Sequence, residues 1–206
     1  MYLAVAGNIG VGKSTLTALL SERLRLTPVF EAVDENPYLE DFYQDMSGYA
    51  FHSQIFFLSK RLEQHLNQVN RSERVIQDRT VYEDAGVFAR NLFEEGVLSE
   101  RDYETYSGMY QAVAAALRPP DVMVYLRASV PTLKAHIAKR GRDYEQAIPE
   151  SYLAKLNVLY DSWAGQYGLS ELLTVQTDGL DFLAGAGDLD VLLARLEPYG
   201  LVAPLL

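Results

Sequence analysis

Gly7, Gly12, Lys13 and Ser14 stand at the spacing Gly-x-x-x-x-Gly-Lys-Ser, inside the run Gly7-Asn8-Ile9-Gly10-Val11-Gly12-Lys13-Ser14-Thr15. Glycines in that pattern let successive backbone N–H groups turn toward one point, where the positive end of a helix dipole adds to them. Such a point suits a polyphosphate, with the lysine reaching its outer phosphates and the serine hydroxyl ligating magnesium. The flanks fit the same reading. Tyr2 to Ala6 is an apolar run short enough for a buried strand, and Ser14 to Leu26 carries helical spacing at Leu16, Leu19, Leu20 and Leu24.

Further groups are placed to act beside that loop. Asp78-Arg79-Thr80 follows the apolar pair Val75-Ile76, and Thr80 with Glu83 forms a Thr-x-x-Glu capping box that starts a helix directly after a strand. A carboxylate at that tip can hold magnesium, and an adjacent arginine can neutralise a transferring phosphoryl group; an Asp–Arg pair at a strand end is also an ordinary surface feature. Glu31 closes a second β-like run, where an acceptor hydroxyl would need a base or an orienting carboxylate. From Glu31 to Tyr49 the chain holds six acids (Glu31, Asp34, Glu35, Glu40, Asp41, Asp45) and no Lys or Arg, which favours an uncharged acceptor over a phosphorylated one. Gln54, Phe57 and Arg61 share one helix face and suit a nucleobase edge and ring, or form a polar flank beside an apolar stripe. Lys139-Arg140-Gly141-Arg142 would make a mobile basic lid over donor phosphates, although basic residues are common at helix C-termini in any case. His52, His65 and His136 have no metal-ligand spacing, and solvated helix faces are expected for each.

The elements that must position these groups follow from periodicity. Five β-like runs, Tyr2–Ala6, Pro28–Glu31, Arg74–Asp78, Asp121–Leu126 and Leu172–Gln176, alternate with helical patterns. That alternation argues for one parallel sheet with helices on both faces, in a single domain over 1–206. The longest pattern runs from Tyr49 to Asn70, with an apolar stripe at Phe51, Ile55, Leu58, Leu62, Leu66 and Val69. Other helices are expected at Asp84–Glu94, Arg101–Leu117, Pro131–Arg140 and Pro149–Tyr167. The strands should present Gly7, Glu31, Asp78-Arg79 and Arg127 at their carboxyl ends, where such sheets bind ligands. Net charge is −10, which disfavours nucleic-acid polymers; there is no cysteine, and no apolar stretch reaches the roughly 20 residues of a membrane span. A cytoplasmic location is expected.

Taken together, these residues resemble the deoxyribonucleoside kinases, most closely the bacterial deoxyadenosine and deoxyguanosine kinases. The matching stretches beyond the glycine loop are Val29-Phe-Glu31-Ala-Val, Glu35-Asn-Pro-Tyr, Tyr43 with Phe51-x-x-Gln54, Asp78-Arg-Thr-Val-Tyr-Glu-Asp84, Arg140-Gly-Arg142-x-x-Glu145-Gln-x-Ile-Pro149, and Asp181-Phe182. The resemblance implies a P-loop kinase fold whose lid spans about 139–148. It also implies ATP- and magnesium-dependent phosphorylation of the 5′-hydroxyl of a purine deoxyribonucleoside, deoxyadenosine before deoxyguanosine. Residue by residue, it makes Glu31 the base and Arg79 its partner, with Lys13 and Asp78 completing the catalytic set and Ser14 and Asp78 the metal site. Tyr43 and Glu145 would bind the sugar 3′-hydroxyl; Gln54, Arg61 and Asp84 the base edge, beside the Phe57 ring read above from the helix face; Arg140 and Arg142 the donor phosphates; Asp181 and Phe182 the donor adenine. A homodimer or mixed dimer through the 49–118 helices is implied as well. Two departures stand out: Asp-Arg-Thr replaces the Glu-Arg-Ser of animal members, and His136 stands where those carry another lid arginine. The rival readings are a thymidylate-type monophosphate kinase and a nucleotide-sensing subunit without catalysis.

Overall fold

The computed structural model describes residues 1–31, 35–183 and 186–201. Strands β1 (Tyr2–Gly7), β2 (Thr27–Val29), β3 (Val75–Asp78), β4 (Val122–Arg127) and β5 (Glu171–Gln176) form one fully parallel sheet in the order β2-β3-β1-β4-β5. β1 is central and every residue in it is buried, as a strand covered on both faces must be. Alternation along it divides the core: Leu3 and Val5 pack with Leu16, Leu20, Leu133 and Leu192, whereas Tyr2, Ala4 and Ala6 pack on the opposite face with Val29, Val69, Val75 and Met123. Pro28 is tolerated because β2 is an edge strand.

The helices are α1 (Lys13–Leu24), α2 (Leu39–Gln44), α3 (Met46–Gln64), α4 (Val81–Glu83), α5 (Arg90–Glu94), α6 (Glu100–Ala114), α7 (Val130–Arg140), α8 (Asp143–Gln146), α9 (Glu150–Gln166) and α10 (Ala186–Leu196). Local chemistry starts several of them. Thr80 and Glu83 make the expected reciprocal capping box at α4. Ser129 caps α7, with a proline in its first turn, and Gly141 ends it at φ +73°.

Several expectations need correction. β2 stops at Val29, so Glu31 lies beyond the strand rather than closing it. α3 begins before Tyr49 and passes into a π-helical turn at His65–Val69. A π turn carries more residues per turn than an α-helix, so the apolar stripe loses register. Leu66 turns outward, 41% exposed, while His65 and Val69 turn inward. His65 is therefore not solvated: it is buried, and its Nε2 lies 2.9 Å from the Arg118 carbonyl. His136 is half-buried, and only His52 is on an exposed face. The segment expected as a helix from Asp84 starts at Val81 and contains a second π turn, Asp84–Ala89. α2, α8 and α10 were not foreseen. Ala32, Val33 and Asp34, part of the acidic stretch, lie outside the described residues.

Candidate active site

The carboxyl ends of β1 and β3 and the segment after β2 open on one cavity of about 590 Å³, whose walls include Gly10 to Thr15, Glu31, Asp78, Arg79, Arg140 and Phe182. At the β1–α1 turn the chain can close tightly only because Gly7 lacks a Cβ: at φ +144°, a methyl there would lie 2.6 Å from the Leu126 carbonyl oxygen. Asn8 anchors the loop from within, its side-chain amide donating to the Leu153 carbonyl at 2.9 Å and to Asn157 at 2.8 Å. Lys13 lies back along the loop and donates to the carbonyls of Gly7 (2.9 Å) and Asn8 (3.0 Å). Burial, and then repulsion from Arg79, bring its ammonium pKa down to about 8, with Asp78, Glu31 and Glu83 opposing.

At the β3 tip the chain turns at Arg79, one of two non-glycine residues with positive φ (+63°) among the described residues. That conformation is uncommon for a side chain this long, and it aims a buried guanidinium into the cavity. Arg79 is held from three sides. Its Nε lies 2.9 Å from Glu31 Oε1, its Nη1 donates to the Tyr160 hydroxyl at 2.9 Å, and its cationic carbon sits 4.5 Å from the centre of the Phe88 ring. Tyr160 in turn donates to Glu83 at 2.6 Å, and Glu83 accepts from the Gly7 N–H at 3.2 Å and the Thr80 N–H at 2.9 Å. One carboxylate thus ties the glycine loop, the capping box and the strand-tip arginine together.

On the other side, Arg61 of α3 contacts both Glu31 and Asp84, packing over Phe57 at 4.9 Å. Burial would raise the Glu31 carboxyl, but Arg79, Arg61 and Lys13 overcome it and hold the group at about 2. Asp84 goes the other way: burial pushes it up to about 7 against the pull of Arg61 and Arg79. Two carboxylates sharing one arginine are therefore driven apart, one held as an anion by its two guanidinium partners and the other pushed by burial toward its neutral form. Gln54, also buried, lies in the same wall.

The basic lid folds over this site. Arg140 and Arg142 both pair with Glu145, Arg142 at 3.5 Å, and Tyr144 stacks on Tyr43 with centroids 5.9 Å apart. The loop after β5 brings Asp181 and Phe182 to the cavity. Asp178 lashes that loop to the start of α7, accepting from the Ser129 N–H at 3.0 Å and the Thr132 hydroxyl at 2.6 Å.

A divalent cation would find two adjacent oxygens at Ser14 and Asp78. The Ser14 hydroxyl donates to Asp78 Oδ2 at 2.5 Å, and the second carboxylate oxygen, Oδ1, is buried without a hydrogen-bond partner. Hard oxygen donors few in number suit magnesium, which keeps water and substrate phosphate as its remaining ligands.

The deoxynucleoside kinase family model matches residues 3–196. The chain is 36% identical over 183 residues to a Bacillus subtilis deoxyadenosine/deoxycytidine kinase, covering 88% of this chain and 84% of that one. It is 31% identical over 204 residues to a deoxyguanosine kinase of the same organism, covering 95% and 96%. A solved deoxyadenosine kinase from M. mycoides, with the products dCMP and a flexible dCDP bound, superposes with a TM-score of 0.86 at 34% identity, covering 96% of this chain and all of that one. The chain belongs to the deoxynucleoside kinase family.

The catalytic, donor, acceptor and metal residues assigned from the sequence all line the kinase's cavity, apart from Gly7 and Asn8, which support the loop from behind it. Arg127, expected at the ligand-facing end of β4, does not reach the cavity. It forms a two-pronged pair with Asp161, both bonds 2.8 Å, on the surface. Tyr160, Glu83 and Phe88 were missed as site residues. Glu83 was legible only as a helix cap, and Tyr160 only as one position on a long helix; no local signal told that both converge on Arg79.

Proposed function

We propose that this kinase transfers the terminal phosphoryl group of ATP to the 5′-hydroxyl of a purine deoxyribonucleoside, deoxyadenosine first and deoxyguanosine second, in nucleoside salvage. The observation that carries the reading is the single cavity joining the glycine loop to a Glu31 carboxylate gripped by two arginines. In this reading Glu31, ionised by its partners, orients the 5′-hydroxyl and accepts its proton as the new O–P bond forms and the bond to the departing diphosphate breaks. Phosphoryl transfer passes through a loose transition state, so alignment and charge neutralisation matter more than a strong base. Arg79 touches the base and reaches toward the transferring group. Lys13 and the loop N–H groups hold the donor, and Arg140 and Arg142 close on its phosphates when they leave Glu145. Magnesium bound by Ser14 and Asp78 would neutralise charge on the donor phosphates.

Purine preference is supported by the acceptor wall. The Gln54 amide suits the donor–acceptor pair of adenine, and Arg61 and Asp84, paired with each other in the same wall, are assigned to the base edge beside it. Tyr43 and Glu145 are assigned to the sugar 3′-hydroxyl, Phe57 to the ring, and Asp181 and Phe182 to the donor base. Relatives named deoxyguanosine kinase and deoxyadenosine kinase favour a purine acceptor, and the relative named deoxyadenosine/deoxycytidine kinase adds deoxycytidine as a secondary one. We read residues 1–206 as one domain in the cytoplasm; among the described residues no helix is long and apolar enough to cross a membrane. A dimer is supported by α6, which buries only Tyr106 while Thr105, Met109 and Ala112, at helical spacing, form an exposed uncharged face.

The test is a phosphorylation panel with ATP and magnesium over the four deoxynucleosides and deoxyadenosine monophosphate. Transfer to deoxyadenosine and deoxyguanosine, lower transfer to deoxycytidine and none to the monophosphate is expected. Transfer to the monophosphate, or to no deoxynucleoside at all, overturns the reading.

A further inference from the structure

His136 sits in the middle of α7, and its Nδ1 lies 2.8 Å from the carbonyl oxygen of Gly10 in the glycine loop. A carbonyl only accepts, so that nitrogen carries the hydrogen and the ring tautomer is set by its partner. The helix is pressed onto the loop at the same point: a Cβ on Gly10 would lie 2.8 Å from Ile137 Cγ1 and 2.9 Å from the Leu133 carbonyl. Leu133, His136, Ile137 and Arg140 recur at helical spacing, so one face of α7 carries the packing contact, the tether and a lid arginine.

The bond matters because of what Gly10 is. At φ +80° and without a side chain, its peptide unit can rotate at little intrinsic cost. The opposite end of that peptide, the Val11 N–H, is held among the described residues by one long bond, 3.3 Å, to the Asn8 carbonyl. Rotation would carry the carbonyl oxygen toward the loop's anion-binding point, where its partial negative charge repels a phosphate.

We infer that His136 is a positioning residue: it holds the Gly10 carbonyl against α7 and out of the anion site, keeping the loop shaped for a polyphosphate. The same bond fixes α7 one turn before Arg140, so the loop and the lid cation keep one spacing. This inference rests on the reading of the glycine loop as the donor site.

Asparagine and glutamine separate the two ring nitrogens, since an asparagine amide nitrogen falls where Nδ1 lies and a glutamine amide nitrogen where Nε2 lies. Calorimetric binding of MgATP and of inorganic tripolyphosphate is measured for the wild type and for His136→Asn, His136→Gln and His136→Leu, with deoxyadenosine affinity as the control. The Leu and Gln variants should lose roughly three- to tenfold for both polyphosphate ligands, the size of one hydrogen bond, while Asn stays within about twofold and deoxyadenosine binding is unchanged. Wild-type affinity in the Leu variant overturns the inference, as does equal loss in all three. Rescue by Gln and not by Asn also overturns it, because the ring would then act on the donor directly through Nε2. A wild type that binds ATP yet transfers no phosphate defeats the functional reading alone, and the variants still decide the role of His136. A wild type that binds neither polyphosphate overturns both.

Discussion

Raising the pH from 7 to 9 should weaken donor binding about tenfold through one group, Lys13. Its ammonium is stripped of water by burial and repelled by Arg79, which brings its pKa from 10.5 down to about 8 in the free protein. A bound polyphosphate supplies the negative charge this nitrogen lacks and so favours the ammonium form. If only that form binds the donor, the apparent Kd scales with one plus the ratio of neutral to charged lysine, about 1.1 at pH 7 and about 11 at pH 9, a change of ~1.4 kcal/mol. The neighbouring phenols stay neutral across this window, since burial pushes Tyr43 up and Tyr152 to about 12. Stability moves the other way. Because the folded-state pKa of Lys13 is depressed, the unfolded chain holds more protons between about 8 and 10.5, and this group's contribution to stability rises with pH there. Calorimetry with MgATP and no acceptor, in two buffers of different ionisation enthalpy, reads both the affinity and the protons taken up. Uptake should approach one proton per donor bound at pH 9. An affinity flat to pH 9, or the same loss in Lys13→Arg, whose charge does not titrate, would refute the reasoning.

Other expectations follow from the same contacts. Glu31→Gln should bind deoxyadenosine within a few-fold of wild type while turnover falls by more than about 100-fold; near-native turnover removes Glu31 from its role. Tyr160→Phe deletes the hydroxyl shared by Arg79 and Glu83, leaving two buried groups short of a partner at a cost of ~1–3 kcal/mol. It should lower kcat more than it raises the KM for ATP, and an unchanged kcat would show that the bridge does not hold Arg79. Gly86→Ala places a Cβ 2.6 Å from Trp163 Cδ1, inside the π turn that carries Asp84. Overpacking of this kind costs ~1–3 kcal/mol and should lower Tm by several degrees, with an unchanged Tm counting against the contact. Asp84, raised by burial from 3.8 to about 7, makes a contribution to stability that falls as pH rises between those values. Asp84→Asn should remove that component from a curve of Tm against pH; an unaltered curve argues against the raised value.

The parts of this protein legible in its sequence are those decided by neighbours along the chain. The glycine loop, the Thr80–Glu83 capping box, the five-strand alternation and the helix read over Pro131–Arg140 each depend on residues within a turn or two, and each is present in the fold. The run of acids without a basic residue between 31 and 49 likewise needs no coordinates to favour an uncharged acceptor. What only the tertiary structure decided lies across elements. The π turn at His65–Val69 buries a histidine against the Arg118 carbonyl, 53 residues away, and exposes Leu66, an outcome that the apolar spacing along the chain does not signal. Arg79 was readable as a strand-tip cation, but its hold by Glu31, Tyr160 and Phe88 comes from the segment after β2, from α9 and from the π turn after α4 brought to one point. The opposed pKa values of Glu31 and Asp84 have the same origin. Each depends on burial and on how many guanidinium groups a carboxylate meets, quantities that exist only once the chain has closed around them.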